Sequence, residues 1–443
     1  MTDPSRLSFD EGLWLALLLL QILCLYCWCW IMPEKRSAWF QPPVIVSVVF
    51  MYYTVVGPLY GITQGLWVER GVDVRDGYLI AWQGATISFA SFLVGYGLLR
   101  QRMPKPKLFT SLNPMQAWRF GRTLNQIGIL LYALVQGQNL LVMLNPFTAR
   151  QAEQVSTGFD FGAFSAYASS SINLLIPGIL LMMAAWVRNR RNTIELVLWL
   201  LVAGGIYTTI AFRYRLALLF SGMLILWYLG RGKTPKLLTV FSVITSLMFM
   251  SGLLVQGRQY GRGINFDAIR GMNFLDLVLA GFQEASVFNN SAGVMRLIPD
   301  HIPYVGLSAI WEVVIMPIPR AFWPDKPKAE YISDATEALF GSINNSGSAI
   351  LNYTEYFLIG DWPVLILGYI LLGFLSRRLW LWFVCRRDEP VAQVSYVTAV
   401  VYLYMVISRG YLAQVVTLFC FTVLPIFVYY YLVAKPASSF SDC

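Results

Sequence analysis

Long apolar runs separated by short polar segments form the main pattern of this chain. A helix needs about 20 apolar residues to cross the hydrocarbon core of a bilayer. Eleven runs approach or reach that length, and they lie near residues 12–32, 43–62, 78–98, 124–144, 167–187, 194–212, 214–230, 236–255, 362–384, 393–408 and 411–433. The pattern predicts an all-α polytopic membrane protein with about 11 transmembrane helices.

One polar stretch interrupts this alternation, between residues 256 and 361. It divides the chain into eight predicted helices at 1–255, a large loop at 256–361, and a last block at 362–443 with three helices and a tail. Two apolar segments of the loop, at 274–282 and 307–316, are too short to span a bilayer. They predict interfacial or re-entrant helices and a loop that packs back over the membrane domain.

The composition supports a membrane protein, because 57% of the residues are hydrophobic, 13% are charged and the mean hydropathy is +0.57. The net charge is +9, but the basic residues form short clusters between apolar runs. Such clusters set topology, and they do not indicate nucleic-acid binding. The cysteines at 24, 27, 29, 385 and 420 lie in or beside apolar runs. The sequence therefore predicts buried thiols, and neither a disulfide framework nor a metal cluster.

The distribution of lysine and arginine predicts the orientation of the chain. With the N-terminus outside, the short inside segments contain the basic clusters at 35–36, 100–122, 188–191, 231–236 and 377–387. This excess follows the positive-inside rule, from which the long loop is exempt by its length. We therefore predict an outside N-terminus, a cytoplasmic C-terminus and a large loop on the outer face.

A second group of arginines is predicted on the outer face, against the topology signal. Arg213 and Arg215 lie in one short outer turn and Arg409 lies in another. Arg258 and Arg262 begin the large loop. An arginine beside the membrane is costly, so such residues tend to line cavities or to pair with another group. Each could equally extend to lipid phosphate or pair with a nearby carboxylate, and the sequence leaves both interpretations open.

The most polar part of the large loop contains a motif. Pro319–Arg320 is followed by Trp323–Pro327 and then, after a segment rich in glycine, serine and asparagine, by Glu355–Tyr356 and Gly360. This series resembles the late outer loop of bacterial oligosaccharide repeat-unit polymerases, the Wzy-type polymerases of O-antigen and exopolysaccharide. The turn at 213–215 is similar to the arginine-bearing turn of the same group and of the related O-antigen ligases.

The resemblance implies a GT-C-like glycosyltransferase in the bacterial inner membrane, with its active site facing the periplasm. In that family a growing glycan on undecaprenyl diphosphate is transferred to the free end of a new lipid-linked repeat unit, and undecaprenyl diphosphate leaves. The implied partners are the lipid-linked donor and acceptor, membrane lipid, a chain-length regulator and a flippase, with no nucleic acid. No cofactor is implied. The lack of any Asp-x-Asp pair favours a site without metal, although scattered carboxylates could hold one.

Cations are expected where the diphosphate departs. Breaking the bond from the anomeric carbon places negative charge on the leaving oxygen, which preorganised cations stabilise. Arginine suits this role because its planar guanidinium meets phosphate oxygens in pairs. The substrate-binding candidates are Arg213, Arg215, Arg320 and Arg409, with Arg258, Arg262 and Lys326 as further cations of the loop.

The acceptor hydroxyl must lose a proton, so a base is expected within hydrogen-bond reach of it. Glu355 is the preferred candidate because it lies in the matched motif beside Tyr353 and Tyr356, whose rings could pack against sugars. The alternative is a carboxylate that pairs with an arginine to hold the loop. His301, the only histidine, is a second candidate that also fits a simple turn at 299–303. The other carboxylates predicted outside are Glu284, Glu312, Asp325, Glu330, Glu337 and Asp361.

Two other functions share parts of this pattern. An O-antigen ligase has nearly every gross feature in common with the polymerase and differs in its acceptor. A flippase or other transporter would place ionisable residues within the spans and would have short loops. Charges are almost absent from the middle of the predicted spans, so the sequence favours the polymerase.

Overall fold

The structure is a computed structural model of the protein. It describes residues 7–26, 38–99, 114–145, 158–159, 161–210, 213–259, 264, 270–282, 286–327, 330–341, 349–387 and 389–433. Nearly all of these residues lie in helices. One short antiparallel hairpin pairs Val68–Glu69 (β1) with Val72–Asp73 (β2), with Val68 opposite Asp73.

The α-helices, numbered in chain order, are α1 Leu7–Tyr26, α2 Pro42–Phe50, α3 Gly57–Thr63, α4 Tyr78–Gly97, α5 Pro114–Gln136, α6 Asn139–Met143, α7 Ser165–Ser170, α8 Leu175–Asn189, α9 Thr193–Ile210, α10 Arg213–Gly230, α11 Leu237–Gln259, α12 Phe274–Ala280, α13 Ser286–Leu297, α14 Ser308–Ile315, α15 Tyr331–Phe340, α16 Asn352–Val384, α17 Pro390–Ser408, α18 Leu412–Thr422 and α19 Leu424–Val433. A π-helical segment, Met51–Val56, joins α2 to α3. Short 3₁₀ turns occupy Ala38–Phe40, Arg75–Gly77, Gly162–Phe164 and Ser171–Leu174.

Seven helical segments in the described ranges are long and apolar enough to cross a membrane. They are Pro42–Thr63, Arg75–Gly97, Ser165–Asn189, Leu238–Val255, Asn352–Val384, Pro390–Ser408 and Leu412–Leu432. Each contains most of one predicted apolar run, so a polytopic helical membrane protein is confirmed. The predicted short segments of the large loop are also helical, as α12 and α14.

The other four predicted spans fall short of this combination of length and hydropathy. Those of α1, α9 and α10 contain shorter apolar stretches, Trp14–Cys24, Thr193–Thr209 and Tyr214–Gly230. The fourth, at 124–144, is divided between α5 and α6 by a turn at 137–138 and follows the basic residues Arg119 and Arg122 of α5. Arg122 pairs with Glu195 of α9, with 2.6 Å between Arg122 Nη2 and Glu195 Oε2. The count of 11 spans therefore stays a prediction.

The core lies where α4 and α16 cross, and glycines allow their backbones to touch. A Cβ atom on Gly95 would clash with the carbonyl of Ile370, and a Cβ atom on Gly373 would clash with the carbonyl of Phe92. Small residues permit such close approach between helices in membranes, where packing drives association. The crossing fixes the position of α16.

We expect Gly373→Leu to destabilise the protein by about 3 kcal/mol, because the added side chain must push the two backbones apart. Thermal unfolding of the purified protein in detergent measures the loss. Gly97→Leu is the matched control, since a Cβ atom at Gly97 has nothing within 4 Å. Equal melting temperatures for the two variants would contradict the close crossing.

A break divides α16 into two helices. Gly360 has φ −173° and ψ 45°, and Asp361 has φ 61° and ψ −162°. The left-handed φ of Asp361 is unfavourable for a residue with a side chain. The carbonyl groups that precede the break accept hydrogen bonds from the loop, Leu358 from the Val305 amide at 3.0 Å and Ile359 from the Gly306 amide at 2.9 Å. The predicted span of 362–384 therefore follows the break, and a short helix at 352–359 precedes it.

A tight turn between α17 and α18 packs against the start of α16. The Gly410 amide donates to the Ile350 carbonyl at 2.7 Å, and a Cβ atom on Gly410 would lie 2.6 Å from the Leu351 carbonyl oxygen. Only glycine fits that approach. The first turn of α18 is thereby placed beside the short helix at 352–359.

Candidate functional site

Glu355 is a fully buried carboxylate where three elements meet. Its side chain, 0% exposed, projects from the first turn of α16. Oε1 accepts a hydrogen bond from the Tyr331 hydroxyl of α15 at 2.6 Å and another from the Leu412 amide of α18 at 2.8 Å. Oε2 is also buried, and no described residue lies within hydrogen-bonding distance of it. One carboxylate oxygen is therefore anchored while the other is available.

Local electrostatics favour this arrangement. The Leu412 amide is at the N-terminus of α18, where the unpaired N–H groups carry positive partial charge that stabilises a carboxylate. Burial raises the pKa of Tyr331 well above its usual range, and the negative charge of Glu355 raises it further. The phenol therefore remains protonated and acts as the hydrogen-bond donor.

Other acidic and aromatic groups surround the carboxylate. The rings of Tyr331 and Tyr411 meet edge to face, 6.3 Å apart. Burial raises the pKa of Tyr411, and the charges of Glu355, Glu330 and Glu312 raise it further. Three carboxylates thus act on one tyrosine. We refer to the region around Glu355, Tyr411 and the first turn of α10 as the Glu355 end of the bundle.

Arg215 is the buried cation at this end. It is 7% exposed, and its Nε donates to Asn173 Oδ1 at 2.8 Å. Its guanidinium carbon lies 5.7 Å from the ring centroid of Tyr207 and 5.3 Å from that of Tyr214. Aromatic faces stabilise a guanidinium by cation–π attraction. The Ser171–Leu174 turn, which contains Asn173, also packs against α18, so Arg215 is held near the helix that anchors Glu355.

Arg320 occupies the turn that follows α14. Its Nη1 donates to the Pro324 carbonyl at 3.0 Å, and its side chain is part-exposed. The turn is joined to α7, because the Tyr167 hydroxyl donates to the Met316 carbonyl at 3.2 Å. Tyr167 also interacts electrostatically with Arg320. Tyr167 and Asn173 are six positions apart in one helical segment, a rise of about 9 Å, so this segment contacts both Arg215 and the turn that carries Arg320.

Lys326 stabilises the same turn by donating hydrogen bonds to its backbone. Its Nζ donates to the carbonyls of Met316 at 2.9 Å and Ile318 at 2.7 Å, and the residue is 5% exposed. Burial lowers the pKa of Lys326, and the neighbouring charge of Arg320 lowers it further. These contacts cap the end of α14. The ammonium group predicted to bind substrate is engaged by backbone in this structure.

We expect Lys326→Met to destabilise the turn locally by about 2 kcal/mol, because it removes two charge-assisted hydrogen bonds. Hydrogen exchange of the backbone amides at 316–327 measures the effect as faster exchange. Lys233→Met, which alters an exposed lysine beyond α10, serves as the control and leaves those amides unchanged. Unaltered exchange in Lys326→Met would show that the ammonium group does not hold the turn.

The remaining candidates are dispersed. Tyr353 is 1% exposed, and its ring packs in the core against the Gly84 position of α4. His301 is exposed in a turn, and its amide donates to the Leu297 carbonyl at 2.8 Å. Arg409 is half-buried in the turn before α18. The side chains of Arg213 and Arg258, and all of Arg262 and Glu284, lie outside the described residues.

Sequence reasoning missed the groups that hold Glu355 and Arg215. Tyr331 belongs to none of the motifs in the sequence. The Leu412 group is a backbone amide, which a pattern of side chains does not reveal. Asn173 has a recognisable signal, since it is a polar residue inside the apolar run at 167–187. Such residues tend to face the protein interior and to find a polar partner.

Within the described ranges, no group of three or more histidine, cysteine, aspartate or glutamate side chains is placed to hold a metal ion. Cys24, Cys385 and Cys420 are not in disulfide bonds.

No protein-family model matches this chain, and no curated protein and no solved structure matches it.

Proposed function

We propose that the protein is a membrane glycosyltransferase of the repeat-unit polymerase type, with about 11 spans in a GT-C-like arrangement. Its substrates are oligosaccharide repeat units linked to undecaprenyl diphosphate at the periplasmic face of the inner membrane. One observation carries the proposal. Glu355 is a buried carboxylate with one oxygen anchored and the other unpartnered among the described residues, at the same end of the bundle as Arg215.

The reaction requires a base and cations, and we assign these roles to Glu355, Arg320 and Arg409. The acceptor hydroxyl attacks the anomeric carbon of the donor glycan and passes its proton to Glu355 Oε2. The bond from that carbon to the diphosphate oxygen breaks, and the electron pair leaves with undecaprenyl diphosphate. Arg320, which is part-exposed, and Arg409 stabilise the departing charge. Direct displacement inverts the anomeric configuration.

The hydrogen bond from Tyr331 supports this assignment of Glu355. A hydroxyl already donates to the carboxylate at 2.6 Å, which is the geometry that an acceptor sugar hydroxyl needs before proton transfer. The carboxylate is covered in this structure. Substrate binding must therefore expose Oε2 while Tyr331 and the Leu412 amide continue to hold Oε1.

Polymerisation in liposomes tests the proposal. The purified protein is given undecaprenyl diphosphate-linked repeat units, and the products are separated as a ladder of glycan lengths. A ladder supports a polymerase. Transfer only after addition of a lipid A core acceptor would instead identify a ligase, the alternative with the same gross architecture.

A transporter is the second candidate, and one observation favours it. Glu355 lies inside a candidate span beside the break at Gly360 and Asp361. Buried ionisable residues at broken helices are typical of ion-coupled transporters. Liposomes that contain a fluorescent lipid-linked oligosaccharide discriminate the two, because a transporter changes the leaflet of the lipid without changing the glycan length.

A further inference from the structure

Two tryptophans stack at the opposite end of the bundle from Glu355. Trp186 lies in the last turn of α8 and Trp227 in the last turn of α10. Their ring centroids are 5.7 Å apart and the planes are inclined by 23°. The helices are held together there, since a Cβ atom on Gly230 would lie 2.8 Å from Val187 Cγ1.

Two arginines cover these rings. The guanidinium carbon of Arg190 lies 4.1 Å from the Trp186 centroid and 4.7 Å from the Trp227 centroid. That of Arg231 lies 3.6 Å from the Trp227 centroid. Both arginines are exposed. Because both guanidinium groups contact the Trp227 ring, they are close enough for one phosphate-bearing headgroup to reach both.

The backbone at Arg190 is shaped to make this stack. Arg190 has φ 52° and ψ 20°, and its amide donates to the Trp186 carbonyl at 2.8 Å. This left-handed conformation ends the helix and is usually taken by glycine or asparagine. Here it turns the side chain back over the helix it terminates. With this backbone conformation, the Arg190 guanidinium lies over both tryptophan rings.

The chain segments around the stack contain basic residues and no acidic residue. The segments at 188–192 and 230–236 contain Arg188, Arg190, Arg191, Arg231, Lys233 and Lys236, and neither contains an aspartate or a glutamate. The next acidic residue, Glu195, is already bonded to Arg122 through two contacts of 2.6 Å. Within the described residues, no ion pair involves Arg190 or Arg231.

We propose that the Trp186–Trp227 stack, with Arg190 and Arg231, binds the headgroup phosphate of an anionic membrane phospholipid. Tryptophan at the ends of apolar helices lies at the depth of lipid headgroups. A guanidinium laid flat on an indole keeps its N–H edge outward, and that edge binds phosphate oxygens in pairs. Phospholipid is the occupant because the stack terminates two apolar helices. This site is independent of the proposed glycan transfer.

Native mass spectrometry of the purified protein with phosphatidylglycerol or phosphatidylcholine tests the site. Removing two interfacial charges, in Arg190→Gln with Arg231→Gln, lowers the affinity for phosphatidylglycerol by roughly 30-fold and leaves phosphatidylcholine unaffected. The matched control, Arg378→Gln with Arg387→Gln, removes two exposed arginines from another basic segment and keeps the affinity. In the wild type, phosphatidylglycerol also changes the tryptophan emission.

Three further results would overturn the proposal. Equal loss of affinity in the two double variants would show only diffuse electrostatic attraction. Full affinity in the Arg190 and Arg231 variant would remove these residues from lipid binding. Displacement of phosphatidylglycerol by equimolar glycerol phosphate would identify a site for soluble phosphate. Circular dichroism and the variant Arg190→Lys with Arg231→Lys, which keeps charge but loses the planar stack, separate misfolding from loss of binding.

Discussion

Glu355→Gln is expected to reduce glycan transfer by about 10²- to 10⁴-fold, the usual contribution of a positioned general base. The amide has nearly the same shape as the carboxylate, and its oxygen can still accept the hydrogen bonds of Tyr331 and the Leu412 amide. It cannot take the acceptor proton. The loss should therefore fall on kcat, with little change in KM and little loss of stability. A polymerisation time course with purified variants gives both constants.

Two variants make this result specific. Glu337→Gln alters an exposed carboxylate on α15, the helix that carries Tyr331, and is expected to keep full activity. Tyr331→Phe removes one anchor of Oε1 and is expected to reduce activity by about tenfold, since it loosens the carboxylate without removing it. Activity retained in Glu355→Gln would assign Glu355 a structural role only.

Arg320→Ala is expected to lower kcat by about 10²- to 10³-fold, the usual cost of removing one donor that stabilises a developing oxyanion. Arg320 is part-exposed, and its side chain donates a hydrogen bond to the Pro324 carbonyl of its own turn. Its outer N–H groups can therefore reach a diphosphate. Initial rates at saturating donor measure the effect.

The control for Arg320 is an arginine at an ion pair outside the site. Arg296 lies 3.6 Å from Asp76, between Nη2 and Oδ2, and is exposed, so Arg296→Ala should retain activity. Arg320→Lys should recover only part of the rate, because a lysine ammonium lacks the planar fork that meets two phosphate oxygens. Full recovery by lysine would reduce the role of Arg320 to that of a point charge.

The apolar pattern predicted the helices because burial in a bilayer needs a minimum apolar length. The predicted run at 393–408 corresponds to α17, Pro390–Ser408. At α16, the predicted span of 362–384 corresponds to the helix that follows the break at Gly360 and Asp361, but the short helix before the break was not predicted. Glycine and aspartate at 360–361 form a break inside a helix, and nothing in the local composition separates such a break from a loop that ends there.

The site was predictable only in part. The motif selected Glu355, but its partners lie 24 and 57 positions away in the chain, and such contacts arise from tertiary packing. Tyr353 was predicted to share the site with Glu355. Residues two apart on a helix point to different faces, and Tyr353 packs toward α4 while Glu355 faces α15 and α18. Lys326 was chosen for its charge, whereas the carbonyls that bind it are set by the path of the turn.

The most direct test of glycan transfer at the Glu355 end is a single-turnover reaction. Donor carrying two repeat units is mixed with a labelled acceptor carrying one, in liposomes with excess protein. The account predicts one labelled product of three units and one undecaprenyl diphosphate released for each product, with both signals lost in Glu355→Gln. Movement of the donor between leaflets with no three-unit product and no released diphosphate would contradict the account and identify a transporter.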